Sequence, residues 1–470
     1  MNDRKIQEIF PEETVFKTPK NYRIFSGQNL PSFVKDWLIK RYTHENGELD
    51  IQELKSFLNN HIARKGSKIK GTLMDLQDIT LLARIIVEPD IKSGILRFSI
   101  PDIGIKLNEG RIPQYIARKY PELKGDEVWG VVKLVYIPPE GTQRGIIEIV
   151  DYKPFKPYEV DIEYFRENRK EFSLEEWADV LISSMEYNPD GFESFSQKLL
   201  FISRLLVFVE PNLNMVELAP KGTGKSYIFG NLSKYEWLVS GGVVSRAKLL
   251  YDIARGTPGI ITHYDFVALD EIETIKFSDE NELQGALKNY LEFGNFSVAN
   301  YKGVSSAGFM LLGNIPLSSY KKPIHNKYFR DLPTFFQSSA LLDRFHGFIE
   351  GWKLPRIKEN LIINGYALNV EYFSEILHTL RIVPDFSSVT TQLLDIPKDA
   401  DTRDKNAIIK LCDGYLKLLF PHVKDVDDIN KRDFEEYCLK PAKEMRSIIK
   451  KQRSLIDSEV DENIPDIGVK

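Results

Sequence analysis

The spacing of apolar residues changes character four times along this chain. Over residues 1–70, Val34, Trp37 and Leu38, then Ile51, Leu54, Phe57 and Leu58, recur at three- and four-residue intervals, the spacing of one helix face. Over 71–160 the runs shorten and become β-rich: GILRFSI (94–100), EVWGVVKLVYI (127–137) and GIIEIVDY (145–152), parted by turn signals such as IPPEGTQRG (137–145). This predicts a small barrel or sandwich, with an oligonucleotide-binding (OB) type barrel among the options. Helical spacing returns over 162–209, at Trp177, Val180 and Leu181 and again at Phe195, Leu199, Leu200 and Ile202. Residues 161–190 therefore read as a helical connector. From 191 to 355 strand-like apolar runs alternate with helices, the mark of an α/β domain with a parallel sheet. Residues 356–456 are helical, with Ala407, Ile408, Leu411, Leu416, Leu418 and Leu419 on one apolar face. The tail from Asp457 carries Glu459, Asp461, Glu462 and Asp466 as well and is expected to be disordered.

The alternating region is organised around APKGTGKS, residues 219–226. A strand-like run (Asn214–Leu218) enters it and a helix-like run (Tyr227–Leu232) leaves it, the context of a phosphate-binding loop. Pro220, Lys221, Gly222, Thr223 and Gly224 would wrap a phosphate with backbone N–H groups, where the helix dipole adds partial positive charge. Lys225 would reach the β- and γ-phosphates of ATP, and Ser226 would hold Mg²⁺. Ala219 departs from the usual pattern, because it stands where a first glycine is normal. In FVALDEIETI (266–275) a buried strand ends in Asp270 and Glu271, 45 residues after Lys225. Asp270 would share the Mg²⁺, and Glu271 would polarise the attacking water. Residues 289–316 read as a helix end, a hairpin and another buried strand (Phe309–Leu312), with Asn314 just past it to touch the γ-phosphate. Arg344 lies between an apolar helix and an apolar strand. It is either a structural ion-pair residue or an arginine finger reaching a neighbour's ATP.

Composition narrows the classes. The chain has 470 residues, 42% hydrophobic and 28% charged, enough for about three domains. Its net charge of −5 gives no global nucleic-acid signature, so any such site is a local patch. Candidate patches are Arg64, Lys65, Lys68 and Lys70; the aromatic-and-lysine stretch 151–161; the basic loop Lys321–Arg330; and KPAKEMRSIIKKQR (440–453). Each also reads as a solvated or packed segment. Two cysteines, Cys412 and Cys438, suit a reducing cytoplasm and leave no disulfide framework or cysteine-based zinc cluster. No signal peptide or membrane span is expected.

The order of motifs resembles an AAA+ ATPase, and the core is similar to MCM-type replicative helicases. LEFGNFSVANYKG resembles the MCM pre-sensor hairpin, which assigns DNA contact to Lys302 with Tyr301 beside it. LLGNIP matches sensor 1 (Asn314), LLDRF the arginine-finger motif (Arg344), and TRDKNAIIK the sensor-2 helix (Arg403). The longer string VELAPKGTGKSYIFGNLSKYEWLVSGGVVSRAKLLYDI resembles the BrxL family of BREX phage-defence systems. Larger members of that family carry a Lon-protease-like C-terminal part. No stretch like the P-K-D-G-P-S-A-G protease signature occurs here, so proteolysis is not expected. The resemblance implies an α/β AAA+ core with a C-terminal helical lid, in a ring-forming, cytoplasmic ATPase that uses ATP and Mg²⁺. It implies a hexamer or stacked double hexamer, largely sequence-independent DNA binding, and other BREX proteins as partners. Two rival readings remain at this stage: a protein unfoldase or Lon-like protease component, and a scaffold with little ATP turnover.

Overall fold

The computed structural model describes residues 3–26, 28, 30–44, 48–62, 69–91, 93–124, 127–141, 144–154, 160–278 and 280–470. The chain forms two compact units, one of residues 20–30 and 37–158, the other of 1–19, 31–36 and 159–470.

The smaller unit is built on a closed five-stranded barrel: β1 (Asp78–Asp90), β2 (Ile95–Ile100), β3 (Ile105–Ile112), β4 (Glu127–Ile137) and β5 (Ile146–Pro154). Leu81, Ala83, Ile85 and Val87 alternate inward along β1, and Phe98, Ile100, Val132, Leu134, Ile147 and Ile149 meet them from the other strands. This two-residue period is what a barrel interior requires. The strand order is β1-β2-β3-β5-β4, with β4 closing on β1 and a short parallel contact between β3 and β5. Helix α1 (Gln114–Lys119) lies between β3 and β4 in sequence and buries Ile116 and Ala117. Lys70 is ion-paired with Glu109 at 2.6 Å, while its patch companions Arg64, Lys65 and Lys68 lie outside the described residues. So do Phe155, Lys156, Pro157 and Tyr158 of the aromatic stretch.

The larger unit holds a parallel sheet of five strands: β6 (Asn214–Ala219), β7 (Glu236–Ser240), β8 (Phe266–Asp270), β9 (Gly308–Asn314) and β10 (Gly347–Glu350). Their order is β10-β6-β9-β8-β7. Both faces are covered, so the strands are near-continuous apolar runs rather than alternating ones. All six residues of β6 are buried, as are all five of β8. Helices α2 (Lys225–Asn231), α3 (Glu280–Phe293), α4 (Thr402–Leu419) and α5 (Lys440–Ser454) complete the parts that matter for the site.

The described residues of the N-terminal 70 are mostly helical, as expected, with one short strand, Thr14–Lys17, paired with Gly365–Leu368. Three expectations are corrected here. The 161–190 stretch is integral to the larger unit rather than a connector, since Trp177 is fully buried and donates its indole N–H to Leu418 O at 2.8 Å. The acidic tail is ordered, because Ile467 is fully buried and Gly468–Val469 pairs with Leu394–Asp395. The basic helix 440–453 is only partly a solvated face: Lys440 and Lys451 are exposed. Arg446 and Lys450 are buried and paired with acids, Arg446 with Asp343 and Asp404, Lys450 with Asp404.

Candidate functional site

Strand register assembles the site. Asn314 at the end of β9 lies beside Ala219 at the end of β6, and β8, ending in Asp270, flanks β9 on its other side. Three separate sequence motifs therefore reach one edge of the sheet, the carboxyl edge where open α/β sheets bind ligands. Gly224 caps α2 with φ +81°, and a Cβ there would lie 2.1 Å from the Tyr187 hydroxyl, so only glycine fits. Gly222 also has positive φ, and nothing lies within 4 Å of where its Cβ would be, leaving space over the loop. Ile357 N–H donates to Gly222 O at 2.8 Å and holds the loop from one side.

Ser226 donates to Asp270 Oδ2 at 2.5 Å. The expected pair of magnesium-holding oxygens is thus adjacent, and the donor set fits a hard divalent cation bound beside phosphates. Lys225 Nζ donates to Ala219 O at 3.1 Å, and burial lowers its pKa below the ordinary ammonium value. An arriving phosphate would give that desolvated ammonium a stronger partner than a carbonyl. Glu271 has its backbone in the left-handed region (φ +49°) and an exposed side chain. Asn314 is held by a different acid: its Nδ2 donates to Glu273 Oε1 at 2.6 Å.

Sequence reasoning missed the support behind the loop. Arg204 and Glu217 are both fully buried and bidentate, at 2.9 Å (Nε–Oε2) and 2.5 Å (Nη2–Oε1). Arg204 Nη1 also donates to Thr223 O at 2.8 Å, tying the loop to the sheet. The signal was present: each charge sits inside an apolar run, and a charge buried there needs a partner. The structure also accounts for Ala219. It faces Gly351, where an added Cβ would lie 2.4 Å from the Ala219 methyl. The missing glycine in the loop is matched by a glycine opposite.

Arg344 and Arg403 lie elsewhere. Asn214 Nδ2 donates to the Arg344 carbonyl at 3.3 Å, so Arg344 sits at the amino end of β6. Five strand steps of about 3.3 Å separate that end from the phosphate loop, roughly 16 Å. Arg403 is in the first turn of α4, set there by the Asp401 cap. The two guanidinium groups meet on one carboxylate, Glu292 of α3: Arg344 Nε is 3.2 Å and Arg403 Nε 2.9 Å from its Oε2. Burial lowers the Arg344 pKa. For Arg403 the same effect is outweighed by hydrogen bonding to Asp343 and the charge of Glu292, and its pKa is raised.

The expected hairpin is Asn295–Val298 with Tyr301–Val304. Its turn is Ala299–Asn300, so Lys302 stands on the returning arm opposite Ser297, with its side chain exposed. Tyr301 is half-buried and stacks on Tyr251, ring centroids 3.9 Å apart and planes 7° apart. Tyr251 begins a second hairpin, Tyr251–Asp252 with Thr257–Pro258, whose exposed turn carries Arg255. That hairpin was hidden in the sequence because each arm has only two paired residues. Among the described residues, no group of three or more His, Cys, Asp or Glu gathers as a metal centre, and no helix is long and apolar enough to cross a membrane.

Comparison with known proteins agrees with this geometry. Residues 147–464 match the family described as "Lon-like protease BrxL-like, ATPase domain", and residues 8–136 match "BREX system Lon protease-like protein BrxL N-terminal". The chain is 30% identical over 442 residues to "Lon-like protease BrxL" of Bacillus cereus (strain H3081.97), covering 91% of this chain and 64% of that one. It is 27% identical over 432 residues to the protein of the same name from Escherichia coli O9:H4 (strain HS), covering 91% and 61%. The chain thus spans a little over three fifths of the length of these relatives. An AAA+-like α/β ATPase core preceded by a matching N-terminal region is what the two family matches describe, and the chain belongs to the BrxL family.

Proposed function

We propose that this chain is a ring-forming ATPase that hydrolyses ATP at subunit interfaces and clamps or moves along DNA in BREX phage defence. The observation that carries this reading is the division of the site. Lys225, Ser226, Asp270 and Asn314 converge at the carboxyl edge of the sheet, whereas Arg344 and Arg403 share Glu292 at the far end of β6. A single subunit holds both halves and cannot close them on one triphosphate. Repeated head-to-tail in a ring, each subunit would lend its arginines to the next.

Within the cis half, Ser226 and Asp270 would hold Mg²⁺, which neutralises phosphate charge and orients the leaving oxygens. Lys225 would move from the Ala219 carbonyl to the β- and γ-phosphates. Asn314 would leave Glu273 for the γ-phosphate or its water, and Glu271 would accept the water's proton. Arg344 and Arg403 would stabilise charge on the transferring phosphoryl group from the neighbour.

For DNA, Lys302 and Arg255 are exposed on two hairpins joined through the Tyr251–Tyr301 stack, and cations there suit sequence-independent phosphate contact. The barrel supports an OB-type reading through its β1-β2-β3-β5-β4 order and the helix between its third and fourth strands. A groove of about 730 Å³ on it is lined partly by Arg111, Gln114 and Arg118. The helices after residue 356, with Arg403 on α4, take the part of the lid.

The test is ATPase turnover with double-stranded DNA, single-stranded DNA or a denatured protein added. Stimulation by DNA, reduced in Lys302→Ala and Arg255→Ala, is the expected result. The stacked tyrosines and the relatives' name favour a second reading, protein unfolding. Stimulation by denatured protein alone would establish that reading and overturn the first.

A further inference from the structure

We propose that Glu292 is a positioning residue that binds Arg344 and Arg403 into one unit, so that both reach the neighbouring subunit's triphosphate together. The inference rests on the shared-site reading above and adds a residue to it. Three elements that are distant in sequence meet at this carboxylate: the last turn of α3, the turn before β10 and the first turn of α4. Glu292 Oε2 accepts from Arg403 Nε and is ion-paired with Arg344 Nε at 3.2 Å, and its Oε1 lies 3.1 Å from Arg403 Nε. Each guanidinium also has a second partner. Arg344 Nε donates to Lys288 O at 2.7 Å, and Arg403 Nη1 to Asp343 Oδ2 at 3.0 Å.

The charge balance of the surroundings points the same way. Arg344, Arg403, Arg446, Lys450 and Arg453 gather around three acids, Glu292, Asp343 and Asp404. Arg446 is fully buried and fixed on Asp343 and Asp404, and Arg453 is largely buried on Asp343. Arg403 keeps 41% of its side chain exposed. Cations outnumber acids among these ion pairs, with the Asp401 carboxylate also interacting with Arg446 and Lys450, and the most accessible cation is held by Glu292. A carboxylate hydrogen-bonded to one arginine and ion-paired with the other sets their spacing and removes a rotational freedom that each would otherwise lose on meeting the phosphate.

The test is complementation between variants. Glu292→Ala and Glu292→Gln should lower ATPase turnover at least ten-fold at saturating ATP, while binding of a fluorescent ATP analogue changes less than two-fold. Lys225→Ala should abolish turnover by removing the other half of the site. Mixed one to one, Glu292→Ala and Lys225→Ala subunits should regain activity, since about a quarter of randomly formed interfaces then pair an intact loop with intact arginines. Glu292→Ala mixed with Arg344→Ala should not recover, because both damage the same half. Wild-type turnover in both Glu292 variants would overturn the proposal, as would recovery of the Glu292→Ala and Arg344→Ala mixture. So would failure of the Glu292 variants to complement Lys225→Ala while Arg344→Ala does. If Arg344→Ala also fails to complement Lys225→Ala, the shared-site reading itself falls.

Discussion

At the scale of single residues, the groups that touch phosphate were legible because their chemistry demands a fixed local pattern. Lys225, Ser226, Asp270 and Asn314 each follow a strand-like run, and register then brings the four together. What the sequence concealed is what stands behind them, because a buried partner can lie at any separation along the chain. Arg204 and Glu217 are such a pair. Arg204→Ala would leave the Glu217 carboxylate buried and unpaired, at a cost of about 3 kcal/mol. The check is a lowered melting temperature together with weaker nucleotide binding, because Thr223 loses its tether. The Ala219–Gly351 match makes a sharper prediction. Gly351→Ala places two methyl groups 2.4 Å apart and should cost about 2 kcal/mol. Adding Ala219→Gly, which restores the usual loop glycine, should recover only part of that loss in a double-mutant cycle, because the new methyl would still lie 2.7 Å from Glu217 Oε1 and 3.0 Å from Leu218 O.

At the scale of elements, long periodic segments announced themselves and short ones did not. Helix α4 and strands β6, β8 and β9 each form where an apolar run predicted them, with β6 and β9 extending one or two residues beyond the runs. The terminal strand Gly468–Val469 has two residues and one buried neighbour, Ile467, too little to form a period. Its acidic flank suggested disorder by composition, yet one buried isoleucine and a backbone pairing outweigh composition locally. Ile467→Asp would put a charge in that buried site. Amide exchange should then rise at residues 467–470 and at their partners 394–395, with ATPase turnover unchanged. Slow exchange retained in that variant would mean that the pairing does not depend on Ile467. The basic helix α5 teaches the same lesson in reverse: six cations looked like a surface, but Arg446 and Lys450 face Asp404 in the interior.

At the scale of the whole molecule, two buried carboxyl groups set a dependence on pH. Burial raises Glu371 to about 8, with further effect from Glu375 and opposition from Lys234. Burial likewise raises Asp413 to about 7. Both keep a proton in the folded state that the unfolded chain releases near pH 4 to 4.5. The folded state therefore binds more protons, and these groups withdraw stability as pH rises from about 4.5 to 8. Glu371→Gln should remove its share, improving stability relative to wild type by about 3 to 4 kcal/mol more at pH 8 than at pH 5. Urea unfolding of the two proteins at both pH values gives that difference directly.

The segment from Lys302 to Asn314 has a mechanical consequence. The returning arm of the first hairpin ends at Val304, and β9 starts at Gly308. The joint between them is stiff: Ser305 N–H donates to Gly294 O at 2.9 Å, Asn212 Nδ2 to Ser305 O at 2.9 Å, and the Ser305 hydroxyl is bonded to Ile261 O. Asn314 and the hairpin are thus the two ends of one continuous stretch of chain, with the Tyr251–Tyr301 stack yoking a second hairpin to its far end. Because β9 is also paired with β6 and β8, any displacement at the nucleotide end that reached the hairpin along this path would have to move these paired strands together, not β9 alone.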